Sequence, residues 1–167
     1  MELIDKNFKK NKKYYILQSL FAALCSFVIL FGLGTIAPAV IVASVGSSIF
    51  ILFAIPHAKT IRKRNLMGGY IIGIVCGVLM ALFIQRINFL SGLVGEFPAK
   101  VIFTSIGVGL SIFLMVLFNC EHPPATGIAL GLAIQPFNEW TILFILVSGL
   151  ILSGVKKVFG KKMINLI

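Results

Sequence analysis

A short polar stretch, residues 119–127, interrupts a sequence that is otherwise strongly apolar. It reads Asn-Cys-Glu-His-Pro-Pro-Ala-Thr-Gly. A histidine and an acid are costly in bilayer hydrocarbon, so such residues usually pack inside protein or line a polar path. His122, whose side chain normally titrates near neutral pH, could bind an anion or relay a proton. It could equally satisfy backbone carbonyls at a break between helices, and Glu121 could either be its partner or face the membrane interface.

The two prolines of this stretch predict the start of a helix. Proline is favoured in the first helical turn and disfavours helix in the residue before it. One helix should therefore end near Asn119 and another begin at Pro123 or Pro124, with its unpaired N–H groups beside His122. Because the N-terminus of a helix favours anions, the stretch predicts an anion site, to which Thr126 would add a hydroxyl.

Two further groups could contribute to such a site. Gly46, Ser47 and Ser48 lie inside an apolar span, where they could either let helices approach closely or add hydroxyl donors. Arg64 and Asn65 end a basic loop, and Arg64 could attract anions through its long-range field. Alternatively, Arg64 is one of the positive charges that anchor the loop, and Asn65 caps the following helix.

The composition is that of an integral membrane protein. The 167 residues are 59% hydrophobic and 12% charged, whereas roughly a quarter of the residues in soluble domains are charged. The net charge of +10 is carried by basic clusters that flank apolar runs, which favours a lipid bilayer as the partner and argues against nucleic acid. Three unpaired cysteines predict neither disulfides nor a metal site, and the sequence shows no motif of an enzyme or of a cofactor site.

Hydropathy and charge together predict an all-α integral membrane protein with about six transmembrane helices, two of them short or broken. The predicted spans are residues 14–33, 38–55, 66–84, 100–118, 124–134 and 141–155. This bundle of residues 14–155 would stand between basic segments 1–13 and 156–167. Six crossings place 13 of the 15 basic residues on one side, which the positive-inside rule makes cytoplasmic, with both termini there and the bundle in the cell membrane.

Five crossings would instead put the C-terminal lysines opposite the N-terminal ones, so six fits the charges better. The fifth span is the difficulty, because residues 124–135 rise only about 18 Å against a hydrocarbon core of about 30 Å. We therefore expect this helix to begin part-way through the membrane, or to be re-entrant, with its start enclosed by protein.

The spans also divide into two similar halves, residues 14–84 and 100–160. Each half contains a long span, a break ending in Pro-Ala (residues 38–39 and 124–125) and a further helix. Because each half has three spans, the second would be inverted relative to the first, which is a recurring plan of transporters with broken helices. Three glycines at intervals of four residues predict a packing seam along the third span: Gly69, Gly73 and Gly77.

Three elements resemble the HPP family of small integral membrane proteins. Residues 121–130 resemble the motif that names the family, residues 45–48 its Gly-Ala-Ser element, and residues 64–70 its Arg-Asn-x-x-Gly-Gly-His element. Tyr70 stands where members usually have histidine, and Ser47 where they have alanine. The resemblance implies a membrane transporter or channel, with some plastid and cyanobacterial members linked to nitrite. It also implies four spans, the number usually described for the family, against the six counted from the charges.

These features predict a transporter or channel for a small monovalent inorganic anion, with nitrite as the candidate that the resemblance supplies. The substrate would lie against helix N-termini at Pro124 and Pro38. The candidate substrate-binding residues are Gly46, Ser47, Ser48, Arg64, Asn65, Glu121, His122, Pro123, Pro124 and Thr126. A chain of this size would enclose a path as a homo-oligomer. The alternative is a membrane scaffold or subunit that transports nothing, in which His-Pro-Pro is a structural joint.

Overall fold

The structure is a computed structural model that describes residues 6–33, 37–86 and 95–167. The described residues form six α-helices, one 3-10 turn and no strand, which confirms the all-α prediction. The helices are α1 (Lys6–Leu33), α2 (Ala39–Ala54), α3 (Lys63–Arg86), α4 (Glu96–Leu117), α5 (Pro124–Ile134) and α6 (Glu139–Phe159), and the 3-10 turn is Lys59–Ile61.

Four of the described helices, α1, α3, α4 and α6, are long and apolar enough to cross a membrane. The other two, α2 and α5, are short apolar helices of 16 and 11 residues. The chain is therefore an all-α membrane protein with two short members, as the sequence predicted. In each half the order is a long helix, a short one and a long one, and each short helix begins at a proline, Pro38 or Pro124.

Several predicted spans are shorter than the helices that contain them. α1 includes the lysines before Tyr14, with a kink at Asn11, and α6 continues through Lys156 and Lys157. Lysine is a good helix former, so a helix can extend beyond the hydrocarbon without a break. Pro98 lies inside α4 rather than before it, because a proline in the first turn removes no helical hydrogen bond.

Hydrogen bonds join Tyr15 to Leu166, His57 to Met163 and Lys156 to Pro56. Three basic segments, residues 6–13, 56–64 and 156–162, therefore lie at one end of the bundle, here called the basic end. The C-terminal residues fold back onto this end. There the N–H of Leu166 donates to the carbonyl of Ala54 over 2.8 Å, and Gln18 both donates to and accepts from the backbone of Ile164. The basic residues that cluster in three segments of the sequence are thus gathered at one end of the bundle.

The break between α4 and α5 has a local cause at its first residue. Asn119 adopts a left-handed conformation with φ of 51°, which asparagine tolerates better than most residues. The N–H of Cys120 then donates to the carbonyl of Met115 at 2.9 Å, and that of Asn119 to Val116 at 3.1 Å. This is the pattern of a Schellman cap, which ends a helix by satisfying its last carbonyls. The predicted helix end near Asn119 and the start at Pro124 are confirmed.

The short helix α5 is the centre of the bundle, packed against α2, α3 and α4. The predicted glycine seam of α3 is what lets it approach: a Cβ on Gly73 would lie 2.5 Å from the carbonyl oxygen of Ala125, and one on Gly77 would lie 2.7 Å from the Cβ of Leu132. On the opposite side, Gly131 packs against Ile41 of α2. Backbones meet this closely only where side chains are missing, as is usual for small residues between membrane helices.

Candidate functional site

His122 lies at the centre of a buried hydrogen-bonded chain that joins three parts of the fold. Its Nδ1 lies 2.8 Å from the carbonyl oxygen of Thr60, and its Nε2 lies 2.8 Å from Oγ of Ser48. The hydroxyl of Tyr70 donates to the same Oγ at 2.8 Å, and the rings of Tyr70 and His122 pack edge to face, 5.4 Å apart. The side chains of His122, Ser48 and Tyr70 are completely buried.

The geometry assigns the protons in this chain. A carbonyl can only accept, so Nδ1 of His122 carries a proton and donates to Thr60. In the neutral ring Nε2 then accepts from Ser48, whose oxygen accepts in turn from Tyr70. Every polar atom of the chain therefore has a partner within the protein. A network satisfied in this way stabilises one arrangement of the helices that it joins.

A second set of contacts clamps the residues before His122 to the basic end. Lys59 pairs with Glu121 at 3.1 Å and also donates to Oδ1 of Asn119 at 2.7 Å. Arg64 donates to the carbonyl of Phe118 at 3.0 Å. The positive side chain of Arg64 at this backbone carbonyl complements the negative end of the α4 dipole.

The carboxylate of Glu121 contacts Lys59 and Asn65 of this clamp. The nitrogens of His122 are bonded to other residues, so the interpretation of Glu121 as the partner of His122 is wrong. A hydrogen bond from its own backbone N–H, together with that from Lys59, lowers the pKa of Glu121. The amide of Asn65 donates to both the backbone carbonyl and the carboxylate of Glu121, at 3.2 and 3.3 Å. Asn65 is buried inside α3, so the interpretation of this residue as an N-cap is wrong. Its side chain finds a better acceptor across the helix interface than at its own helix start.

The start of α5 differs from the predicted anion site in one respect. Pro123 and Pro124 have no N–H, and the next two N–H groups are already bonded, Ala125 to the carbonyl of His122 at 2.9 Å and Thr126 to that of Pro123 at 3.1 Å. The first turn thus satisfies its own donors through short-range bonds. What remains for an anion is the dipole of the helix and any hydroxyl that can turn towards it.

Such hydroxyls line a groove on the other side of the break, between α2 and the start of α5. The groove has a volume of about 520 Å³. Its polar side chains are Ser44, Ser47 and Thr126, and both prolines form part of its wall. Each hydroxyl donates to a carbonyl of its own chain segment: Ser44 to Val40, Ser47 to Ala43 and Thr126 to Pro123, at 2.8 to 3.1 Å.

The ten candidate residues therefore separate into three places. The groove contains Ser47, Pro123, Pro124 and Thr126, and Gly46 lies beside it on an exposed face of α2. Ser48 and His122 lie in the buried chain, and Arg64, Asn65 and Glu121 lie in the clamp. Consecutive residues of a helix point about 100° apart, which is why Ser47 and Ser48 face different surroundings.

A family model described as "HPP, transmembrane region" matches residues 9–163. The chain belongs to the HPP family. No curated protein and no solved structure matches it. The three elements that resembled the family now have places in the fold: the family motif at the break, Ser48 beside His122, and Arg64 to Gly69 along the start of α3.

Sequence reasoning missed three contributors to this HPP fold. Tyr70 was noted only as a departure from the family pattern, yet it ends the buried chain. Lys59 belongs to the same basic loop as Arg64 and was not singled out, yet it pairs with Glu121. Ser44 was not singled out, although it lies four residues before Ser48 and three before Ser47, which places a hydroxyl at helical spacing on the same half of α2. That spacing was the one available signal, because nothing in the sequence pairs Lys59 with residue 121.

Proposed function

We propose that this HPP-family protein is a transporter or channel for a small monovalent anion such as nitrite. The observation that carries the proposal is the pair of short helices. α2 begins directly after Pro38 and α5 at Pro124, and the two helices pack together between longer helices, with Gly127 against Ser44 and Gly131 against Ile41. They run in opposite directions, so their N-termini lie at opposite ends of the pair, and the expectation that one substrate lies against both Pro38 and Pro124 is wrong. Short helices that meet inside an inverted repeat form the substrate sites of many secondary transporters. Membership of a transmembrane family supports the same class, and the resemblance to nitrite-linked members supplies the candidate ion.

The groove supplies the binding chemistry. The hydroxyls of Ser47 and Thr126 now bond to carbonyls, and rotation about one bond would redirect either proton to an anion. The positive end of the α5 dipole lies at the same place. Among the residues that the structure describes, no carboxylate lines the groove, so a cation would find little to replace its water. A few neutral donors would bind an anion weakly enough to release it, as conduction requires.

The basic end would face the cytoplasm of a cell membrane, because positive charge is retained on that side. Its field would concentrate anions near the entrance, where Arg64 and the neighbouring lysines lie. The groove opens on the surface of the chain, where Ser47 and Phe50 are exposed. A second copy packed over it would separate the ion from lipid, so we propose a homo-oligomer as the functional unit.

Flux into liposomes tests this proposal, using nitrite, nitrate, formate and chloride with the variants Ser47→Ala and Thr126→Val. We expect flux of at least one anion, reduced several-fold in both variants, because each removes a donor from the groove. Ser26→Ala is the matched control: Ser26 makes the same backward bond, to Ala22 at 2.9 Å, but lies on α1, which does not line the groove. Flux that no groove substitution changes would place the path elsewhere, and folded protein that moves no anion would end the proposal.

The buried chain favours a second candidate, a membrane scaffold or subunit in which His-Pro-Pro is a joint between helices. Both ring nitrogens of His122 are bonded within the protein, as a joint requires and as a substrate ligand does not. This function predicts a stoichiometric partner that copurifies with the chain, together with empty-vesicle levels of flux. The liposome assay therefore separates the two functions.

A further inference from the structure

A second cavity lies at the basic end between α1 and α6, and we call it the lateral cavity. It has a volume of about 490 Å³ and shares no lining residue with the groove. Its walls are apolar, with Leu17, Phe21 and Leu24 from α1 facing Ile151 and Val155 from α6. The proposed transport path makes no use of it, and the inference below does not depend on that path.

The shape of the lateral cavity is that of a slot along the helix axis. Its lining on α1 extends from Tyr14 to Val28, which is about 21 Å at 1.5 Å per residue. The hydrocarbon of one leaflet is about 15 Å deep, half of the usual bilayer core. The slot is therefore long enough to take one extended acyl chain along its whole length within a single leaflet.

The interior of the slot offers no free polar partner. Gln18 lines it, but its amide nitrogen donates to the carbonyls of Phe53 and Ile164 and its oxygen accepts from the N–H of Ile164. The amide is thus fully occupied in holding the C-terminal residues against α1 and α2. An ion or a polar solute would lose its water there without replacement, whereas a hydrocarbon chain would lose nothing.

One cationic side chain, in contrast, lies at the basic end of the slot. Lys162 and Tyr14 line its basic end, and Lys162 is exposed. None of the acidic residues that the structure describes lines the cavity. Two other lysines of this end are engaged elsewhere: Lys156 donates to the carbonyl of Pro56, and Lys59 pairs with Glu121. Tyrosine and lysine beside an apolar slot are the pattern of a lipid headgroup site at the membrane interface.

From this complementarity we propose that the lateral cavity binds one anionic phospholipid, with an acyl chain in the slot and the phosphate against Lys162. Such a lipid would fill the space between α1 and α6, which meet near this end through the rings of Phe21 and Phe159. It would thereby hold the first helix of the bundle, whose described packing is mainly on α2. Interfacial lysines attract anionic headgroups by about 1 kcal/mol each, which corresponds to about five-fold in affinity.

Native mass spectrometry of the purified full chain tests this, after titration with phosphatidylglycerol or phosphatidylcholine. We expect one molecule of phosphatidylglycerol to be retained more tightly than phosphatidylcholine. Lys162→Gln should weaken retention of phosphatidylglycerol about five-fold, to the level of the zwitterionic lipid. The matched control is Lys157→Gln, which removes a neighbouring charge that does not line the cavity and should change retention by much less.

The slot itself is tested by filling it. Val155→Phe should abolish retention of both lipids, whereas Val158→Phe, on the exposed face of the same helix, should not. If Val155→Phe does not fold, Leu24→Phe narrows the slot from the α1 side. Equal retention of the two lipids by the wild-type chain would overturn the role of Lys162. If a slot-filling variant folds and retains lipid as the wild type does, the acyl chain does not lie in the slot. The same conclusion follows if the variant dissociates an oligomer while lipid binding persists.

Discussion

The two sides of the break at His122 differ in what they leave unsatisfied. On the buried side, His122, Ser48 and Tyr70 form a closed chain in which each polar atom has a partner. On the groove side, Ser47 and Thr126 are bonded only to carbonyls of their own segments, within reach of an open space. The two sides come from the same short sequence elements, because Ser47 and Ser48 are neighbours on α2 and His122 lies four residues before Thr126.

This difference indicates that the two sides have different roles, one structural and one suited to binding a ligand. A closed, buried network fixes geometry but has no donor to offer, because breaking any bond would leave a partner unsatisfied in an apolar interior. Hydroxyls that bond backward to their own helix can exchange that acceptor for another at little cost. We therefore expect the histidine that names the family to fix the geometry of the break, whereas the residues that follow it line the groove.

Of the variants that compare the two sides, His122→Ala and Thr126→Val should differ most in stability. The first change breaks the bond between Ser48 and His122, removes the donor to the carbonyl of Thr60 and creates a cavity, so we expect a loss of about 2 to 5 kcal/mol of stability. The second replaces an exposed hydroxyl by a methyl group of similar shape and should cost less than about 1 kcal/mol. Heating with a thiol-reactive dye measures both, because Cys76 and Cys120 are buried and free.

An intermediate variant sharpens this result. His122→Asn places an amide nitrogen near the position of Nδ1, so it keeps the bond to Thr60 and loses that to Ser48. Its melting temperature should fall between those of the wild type and His122→Ala. If His122→Ala melts at the same temperature as the wild type, the buried chain does not fix the break, and the different roles assigned to the two sides are wrong.

A smaller effect is expected from two neighbouring serines on α2. Ser48→Ala removes the acceptor of Tyr70 and the donor to His122, and we expect a loss of about 1 to 3 kcal/mol. Ser47→Ala removes a hydroxyl that is bonded only to Ala43 and should leave the melting temperature within about 0.5 kcal/mol of the wild type. The order should reverse in the liposome assay. At equal amounts of folded protein, Ser47→Ala should reduce anion flux more than Ser48→Ala does. Equal losses of stability in the two variants would contradict the assignment of their faces.

The sequence predicted the elements of this fold better than the partners within its site. The proline positions and the glycine spacing each act through local backbone or steric rules, so the helix ends at the break and the small-residue face of α3 follow from residues alone. That α5 is the helix packed on this face did not follow from the spacing. The pairing of Glu121 with Lys59, or of His122 with Thr60, joins residues about 60 positions apart. Such contacts depend on how helices rotate about their axes, and an apolar helix in lipid shows little amphipathic pattern to fix that rotation.

The clamp at the basic end should give the smallest effect, and that effect depends on pH. The pKa of Glu121 is lowered from its ordinary value of 4.5, first by its own backbone N–H and then by Lys59. A carboxyl with a lowered pKa in the folded state contributes stability above its unfolded pKa and loses it as the pH falls through the folded value. From pH 7 to 3, the wild type should therefore lose more of its melting temperature than Glu121→Gln does, with the difference confined to the acidic part of the range. Because the ion pair is solvent-exposed and screened by salt, the two proteins should differ little at neutral pH. A large difference at neutral pH would mean that the clamp, and not the buried chain of His122, holds the break.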